Sequence, residues 1–261
     1  MNKFWFDAKN INCFKNGFRV IKDLNLKISY SENVILIGPN GSGKSSLIEI
    51  INRNLYPVVA NESKLKIFDK ELINLWELRN KISTVNNDIK NRINPNLQVF
   101  DLILSGLYGR YCYVQKKSER DSYKVEKIMK KMNISNLSKK NFSYLSDGEK
   151  QISLIARALI KKPEILILDE PIANLDYKSK FFVIDKVNEL SKLNTKILCV
   201  THDISTITQI YDRIIMLKDG KIIADGDQNK VINSENLNNL YGIQVKVTNH
   251  NGHWNIKRLI K

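Results

Sequence analysis

The amino-acid sequence predicts an α/β fold, a mostly parallel sheet with helices on its faces and a helical segment inserted into it. Three observations lead there. Residues 38–45, Gly-Pro-Asn-Gly-Ser-Gly-Lys-Ser, form a glycine-rich loop between an apolar run at 34–37 and a helix-patterned stretch at 47–51. From 165 to 217, strand-like and helix-like segments alternate, the pattern of parallel strands joined by helical crossovers. Between residues 88 and 162 the strand pattern gives way to mainly helical spacing.

Taken in order, residues 3–30 read as short β-like pieces ending in Leu24-Asn25-Leu26-Lys27-Ile28, where apolar and polar residues alternate. The run at 34–37, the glycine-rich loop and its helix follow. A further β-like piece at 65–68 precedes a short helical stretch around 75–79. Within the insertion one helix opens at Val99-Phe100-Asp101-Leu102 and another covers 123–132. Strands at 165–168, 197–200 and 214–217 enclose a helix at 178–190. Residues 221–261 return to short β-like and helical pieces. The chain is thus expected to be one domain over 1–261, with an inserted helical subdomain at 88–162 and a C-terminal β/α extension at 221–261.

The loop fits the phosphate-binding pattern G-x-x-x-x-G-K-[ST] at every fixed position, and its strand–loop–helix setting gives that pattern its weight. Gly38, Gly41 and Gly43 let the backbone approach an anion closely. The stretch Gly38-Pro39-Asn40-Gly41-Ser42-Gly43-Lys44-Ser45-Ser46 would then surround the β- and γ-phosphates of a nucleoside triphosphate with N–H groups and a helix N-terminus. Lys44 supplies a mobile cation and Ser45 a hydroxyl ligand for Mg²⁺. Downstream, Ile165-Leu166-Ile167-Leu168 ends in Asp169, a carboxylate expected in the Mg²⁺ shell. Glu170 follows it, placed to polarise the attacking water as a general base.

Bulk properties narrow the class. With 261 residues, 43% hydrophobic and 26% charged, the chain can form one large α/β domain. No apolar run approaches the roughly 20 residues that span a bilayer, and Met1-Asn2-Lys3-Phe4-Trp5-Phe6-Asp7 lacks a secretory pattern, so a cytosolic protein is expected. Cys13, Cys112 and Cys199 are scattered without C-x-x-C spacing and should be reduced, structural thiols. His250 and His253 are expected in an exposed loop rather than at a metal. The formal charge of +15, from 42 basic and 27 acidic residues, is spread along the chain. It reads as a generally positive surface, with attraction to an anionic membrane face and nucleic-acid binding as the other readings.

Several further segments make the sequence resemble the ATP-binding subunits of ABC transporters. Leu145-Ser146-Asp147-Gly148-Glu149, followed by Ala156-Arg157-Ala158-Leu159, resembles the family signature usually written LSGGQ, with Asp147 and Glu149 standing for a glycine and the glutamine. Ser146 and the Gly148 N–H would open a helix whose N-terminus can hold a γ-phosphate; a plain helix cap by Ser146 is the other reading. Ala173-Asn174-Leu175-Asp176 resembles the loop that communicates between two sites. Thr201-His202-Asp203 resembles the switch loop, whose histidine contacts the γ-phosphate. Leu217-Lys218-Asp219-Gly220-Lys221-Ile222 is similar to the turn after the last core strand.

The resemblance implies a P-loop NTPase core with an N-terminal antiparallel β subdomain. It implies ATP and Mg²⁺ as ligands, hydrolysis that uses Glu170 and His202, and ATP sandwiched in a homodimer or cassette dimer. It also implies a membrane permease as partner, a place on the cytoplasmic face of a membrane, and no nucleic acid. Two positions depart from the family. Asn87 stands where a glutamine that reaches Mg²⁺ is usual, with the same amide on a shorter arm. The adenine-stacking aromatic is Phe14, with Phe18 the alternative and core packing open for either. Val99–Arg110 in the sequence and the tail around 235–245 resemble metal-ion and metal-chelate uptake ATPases, and the change at Asn87 a molybdate-type branch. A soluble scaffold ATPase, as in iron–sulfur cluster assembly, is the competing function. Tyr108 and Tyr111 could receive a short permease helix, or pack inside the insertion.

Overall fold

Two long strands open the chain. β1 (Phe4–Lys15) and β2 (Phe18–Ser29) reverse through Asn16 and Gly17, whose φ of 52° and 81° are the left-handed pair of a two-residue hairpin. The short pieces expected over 3–30 are therefore corrected to two strands of 12 residues each. Register shifts between Ala8 and Ile11, and again before Phe14, interrupt the alternation without reversing the chain. Next come β3 (Val34–Ile37), α1 (Lys44–Ile51), β4 (Lys64–Ile67), α2 (Leu75–Lys81) and β5 (Ile82–Val85). A 3₁₀ turn at Asn87–Arg92 leads to α3 (Val99–Tyr108), α4 (Glu119–Lys131), α5 (Asp147–Leu159), β6 (Ile165–Asp169) and α6 (Tyr177–Leu190). The chain continues through β7 (Lys196–Thr201), β8 (Arg213–Lys218), β9 (Lys221–Gly226), α7 (Gln228–Val231), α8 (Ser234–Tyr241), β10 (Val245–His250) and β11 (His253–Arg258). This computed structural model describes residues 3–111, 117–191, 194–250 and 253–259, so Cys112 lies outside the described residues.

The chain forms two compact units. The first takes in residues up to Arg79 and from Lys196 onward. Its central strand, β3, is buried at all four positions and runs parallel to both neighbours, with Val34 opposite Leu198 of β7 and Arg213 of β8. Burial on both faces is why these strands read as unbroken apolar runs. β9 returns antiparallel on β8, and β2, β1 and β4 make a separate antiparallel sheet. Buried Asn33 knots the foot of the parallel strands. Its N–H donates to the Asp212 carboxylate at 2.8 Å, its side-chain amide to the Ile210 carbonyl at 3.1 Å, and its side-chain oxygen accepts from the Ile197 N–H at 2.9 Å. Cys13 and Cys199 are buried and form no disulfide among the described residues, and burial pushes the Cys13 thiol up to about 11. His250 and His253 pair at the end of the β10–β11 hairpin, in strands rather than the expected loop.

The second unit is residues 80–195. β5 and β6 pair in parallel, Ile82 opposite Ile165 and Val85 opposite Leu168. α3, α4, α5 and α6 accompany them, and the range 88–162 falls inside this unit. Ser118 caps α4, accepting from the Asp121 N–H, so that helix starts four residues before the expected Tyr123. Among the described residues no helix is long and apolar enough to cross a membrane.

Candidate functional site

In the first unit, β3 delivers the glycine-rich loop. The Gly38 N–H donates to the Thr201 carbonyl at 3.3 Å, which ties the loop to the end of β7. A Cβ on Gly38 would lie 2.2 Å from the Leu217 carbonyl oxygen and 2.5 Å from Ser42 Oγ, so only glycine fits between β8 and the loop. Gly41 and Gly43, at φ 80° and 105°, bend the chain into α1. A turn bond from the Ser42 N–H to the Pro39 carbonyl, 3.2 Å, and one from the Gly220 N–H to the Ser42 carbonyl, 2.9 Å, hold the loop's shape.

The chemistry of this loop suits an anion. Among the described residues no side chain caps α1, whose first turn is open to an incoming negative group. Ser42 Oγ is buried and has no hydrogen-bond partner among the described residues. The Lys44 ammonium folds back to donate to the Gly38 carbonyl at 2.7 Å and the Pro39 carbonyl at 3.0 Å, a cation stored at the mouth of the loop. Asn40, Gly41 and Ser45 are exposed there, whereas Ser46 is buried. A cradle of this kind, with a buried orphan hydroxyl and a poised cation, fits a phosphate chain.

The same unit holds Phe14, Phe18 and His202. Phe14 is 49% exposed and Phe18 74%, so the core-packing alternative is overturned for both. They sit at the tip of the β1–β2 hairpin, which Lys15 joins to the loop's helix through a 2.8 Å ion pair with Glu49. His202 is exposed just beyond β7, and its carbonyl accepts a hydrogen bond from the Tyr241 hydroxyl at 3.0 Å. Nothing in the local sequence marks Tyr241, 39 residues away, as a partner of His202.

The second unit holds the remaining candidates. Asp169 is the last residue of β6, and Glu170 follows at φ 51°, a left-handed conformation uncommon for a residue with a long side chain. The Ala173 N–H donates to the Glu170 carbonyl at 3.2 Å and closes the turn that holds it there. Such a conformation is retained when its surroundings impose it, and it recurs at functional positions. Asn86 caps the 3₁₀ turn, accepting from the Ile89 N–H at 3.3 Å, and half-buried Asn87 is the turn's first residue.

Ser146 opens α5 through a capping box. Its hydroxyl accepts from the Glu149 N–H at 3.2 Å, while the Glu149 carboxylate accepts from the Ser146 N–H at 2.9 Å. Ser146 and Asp147 remain exposed, and Gly148 is buried against Ser179 at the start of α6. Lys90 lies close enough to feel Asp147, although burial is the larger influence and lowers its pKa. Asp176 caps α6 by accepting from the Ser179 N–H at 2.9 Å, and that bond holds its carboxyl below the usual range. The candidates thus divide: 38–46, Phe14 and His202 in one unit, and Asn87, Ser146–Glu149 of the sequence, Asp169, Glu170 and Asp176 in the other.

Comparison with known proteins adds three kinds of likeness. A family model described as ABC transporter matches residues 21–173. YmeB of Lactococcus lactis, an uncharacterised ABC transporter ATP-binding protein, is 31% identical over 92% of this chain and 93% of its own. The phosphonates import ATP-binding protein PhnC 2 of Oceanobacillus iheyensis is 30% identical over 91% of this chain and 96% of its own. Among solved structures, an ATP-binding cassette captured as a dimer in a post-hydrolysis state with ADP and phosphate superposes with a TM-score of 0.69. It is 27% identical, covering 85% of this chain and 98% of its own.

Proposed function

Because the chain belongs to the ABC transporter ATP-binding family, we propose that it hydrolyses ATP to drive import through a separate membrane permease. It is an ATP-binding protein and an ATPase. The observation that carries this reading is the phosphate loop, with its uncapped helix, orphan Ser42 hydroxyl and folded-back Lys44. On this reading the N–H groups of 38–46 and the Lys44 ammonium bind the β- and γ-phosphates. Phe14 offers its exposed ring to adenine. Ser45, Asn87 and Asp169 offer the hard oxygens that Mg²⁺ takes, and that ion when bound offsets phosphate charge. Glu170 accepts the proton of the attacking water, and His202 donates to the γ-phosphate.

The dimeric relative supports a second copy as partner, each copy presenting Ser146–Glu149 in sequence to the other's phosphate loop, with Asp176 beside the crossing. We further propose metal ions or metal chelates as cargo, from the resemblance of 99–110 and 235–245 to such importers. The phosphonate importer among the relatives shows that similar cassettes serve other cargo, so the permease sets the substrate. The names of the relatives favour transport over a scaffold role.

Glu170→Gln tests the reading. ATP binding should persist in a calorimetric titration while phosphate release falls by about 10² or more, because an amide cannot take the water's proton. The uncleaved ATP should hold a dimer through size-exclusion chromatography. Wild-type turnover in this variant removes Glu170 from the mechanism, and a monomer at saturating ATP removes the sandwich.

A further inference from the structure

The loop that carries His202 is anchored from outside itself. Before it, Thr201 is fully buried and its carbonyl accepts from the Gly38 N–H. After it, the Asp203 N–H donates to Thr201 Oγ1 at 3.0 Å, and the Asp203 carboxylate accepts from the Ser205 N–H at 2.9 Å and the Ser205 hydroxyl at 2.6 Å. These bonds fix the flanks. The His202 carbonyl itself is met by the Tyr241 hydroxyl, at 3.0 Å, from the last residue of α8. α8 can hold that hydroxyl in place because its Leu237 and Leu240 are buried and Asn233 caps its start.

A second tether lies at the far end of the same segment. The Gln228 side-chain amide donates to the Thr208 carbonyl at 2.8 Å and the Tyr211 carbonyl at 2.6 Å. Trp254 of β11 donates its indole N–H to the Gln228 side-chain oxygen at 3.3 Å, and β11 packs on the 3₁₀ turn at Ile204–Thr206. The C-terminal extension therefore grips residues 202–211 at both ends.

We propose that Tyr241 is a positioning residue for ATP hydrolysis. By holding the His202 carbonyl it sets the peptide plane, and with it the direction in which the imidazole leaves the backbone. The C-terminal extension thereby becomes part of the hydrolytic device rather than an appendage. The proposal rests on the reading of His202 as the γ-phosphate contact.

The test is steady-state ATPase on the full chain for Tyr241→Phe, His202→Ala and the double variant, with residual rates followed by release of radiolabelled phosphate. Loss of one net hydrogen bond predicts a kcat lowered about fivefold in Tyr241→Phe, with the KM for ATP unchanged. In the His202→Ala background the same change should have no further effect, because the tyrosine acts through the histidine. Wild-type kcat in Tyr241→Phe overturns the proposal, as does an equal drop in the His202→Ala background, which would mark a general packing role. If His202→Ala keeps wild-type turnover, the reading of His202 itself has failed, and the two failures are told apart.

Discussion

Lys44 is where a single side chain says most. Its ammonium rests on two carbonyls of its own loop, so the cation is already at the mouth of the phosphate cradle and needs only to swing to a stronger partner. Lys44→Ala should lower ATP affinity at least a hundredfold, about 2.7 kcal/mol, in a calorimetric titration, with an unchanged circular-dichroism spectrum. An unchanged dissociation constant would remove the loop from the site. This part of the site was legible in the sequence because each demand of a phosphate cradle is a residue type at a fixed local spacing. Asn33 and Tyr241 were not legible. Asn33 meets Ile197, Ile210 and Asp212, and Tyr241 meets His202, only because the topology brings distant segments together.

Among the elements, α5 shows how a departure from a family motif is absorbed. Glutamate in place of glutamine at 149 still completes the capping box with Ser146, since either side chain can reach the N-cap N–H. The plain-cap reading and the signature reading of Ser146 therefore describe one residue: the cap builds the helix N-terminus that the signature would present. Glu149→Ala should cost about 1 kcal/mol, read as a drop in melting temperature of about 2–4 °C, while Glu149→Gln should restore most of it. Equal melting temperatures for all three proteins would show that the box contributes nothing. The start of α5 could be read from Ser146 and Glu149 because capping is local. The twelve-residue strands of the first hairpin could not, because the register shifts at Ala8–Ile11 and Cys13–Phe14 in the sequence disguise continuous strands as fragments.

At the scale of the molecule, ATP hydrolysis is useful to a transporter only if the cassette grips a membrane partner. The two tyrosines that are candidates for that grip, with packing inside the insertion as the alternative, differ in their settings. Tyr108 is an exposed residue at the end of α3, and its hydroxyl donates to Asp121 at 2.8 Å; Lys124 above all, then Tyr108 and Ser118, hold that carboxyl down at about 2. The Tyr111 ring lies under the Arg157 guanidinium at 4.1 Å, and burial lowers that guanidinium's pKa. If this surface docks the permease, Tyr108→Glu and Tyr111→Glu should both fold and hydrolyse ATP in solution yet lose membrane association in cells that make the permease. Arg157 gives the second carboxylate a ready partner, so Tyr111→Glu should be the better folded of the two. Association retained by both variants would move the interface elsewhere, and unfolding of both would assign the rings to packing.

The discontinuity of the first unit has a consequence for synthesis on the ribosome. Residues 80–195 are contiguous and can close as soon as they emerge, whereas β3 must wait for β7 and β8. Those strands follow about 160 residues later, a delay of roughly 10–30 s at 5–20 residues per second. Throughout that interval Val34-Ile35-Leu36-Ile37 is an unpaired apolar strand, and the loop beside it has no Thr201 or Leu217 to brace it. The phosphate loop is therefore braced only once β7 and β8 have emerged, and until then the β3 segment is the stretch that a ribosome-associated chaperone has most reason to cover.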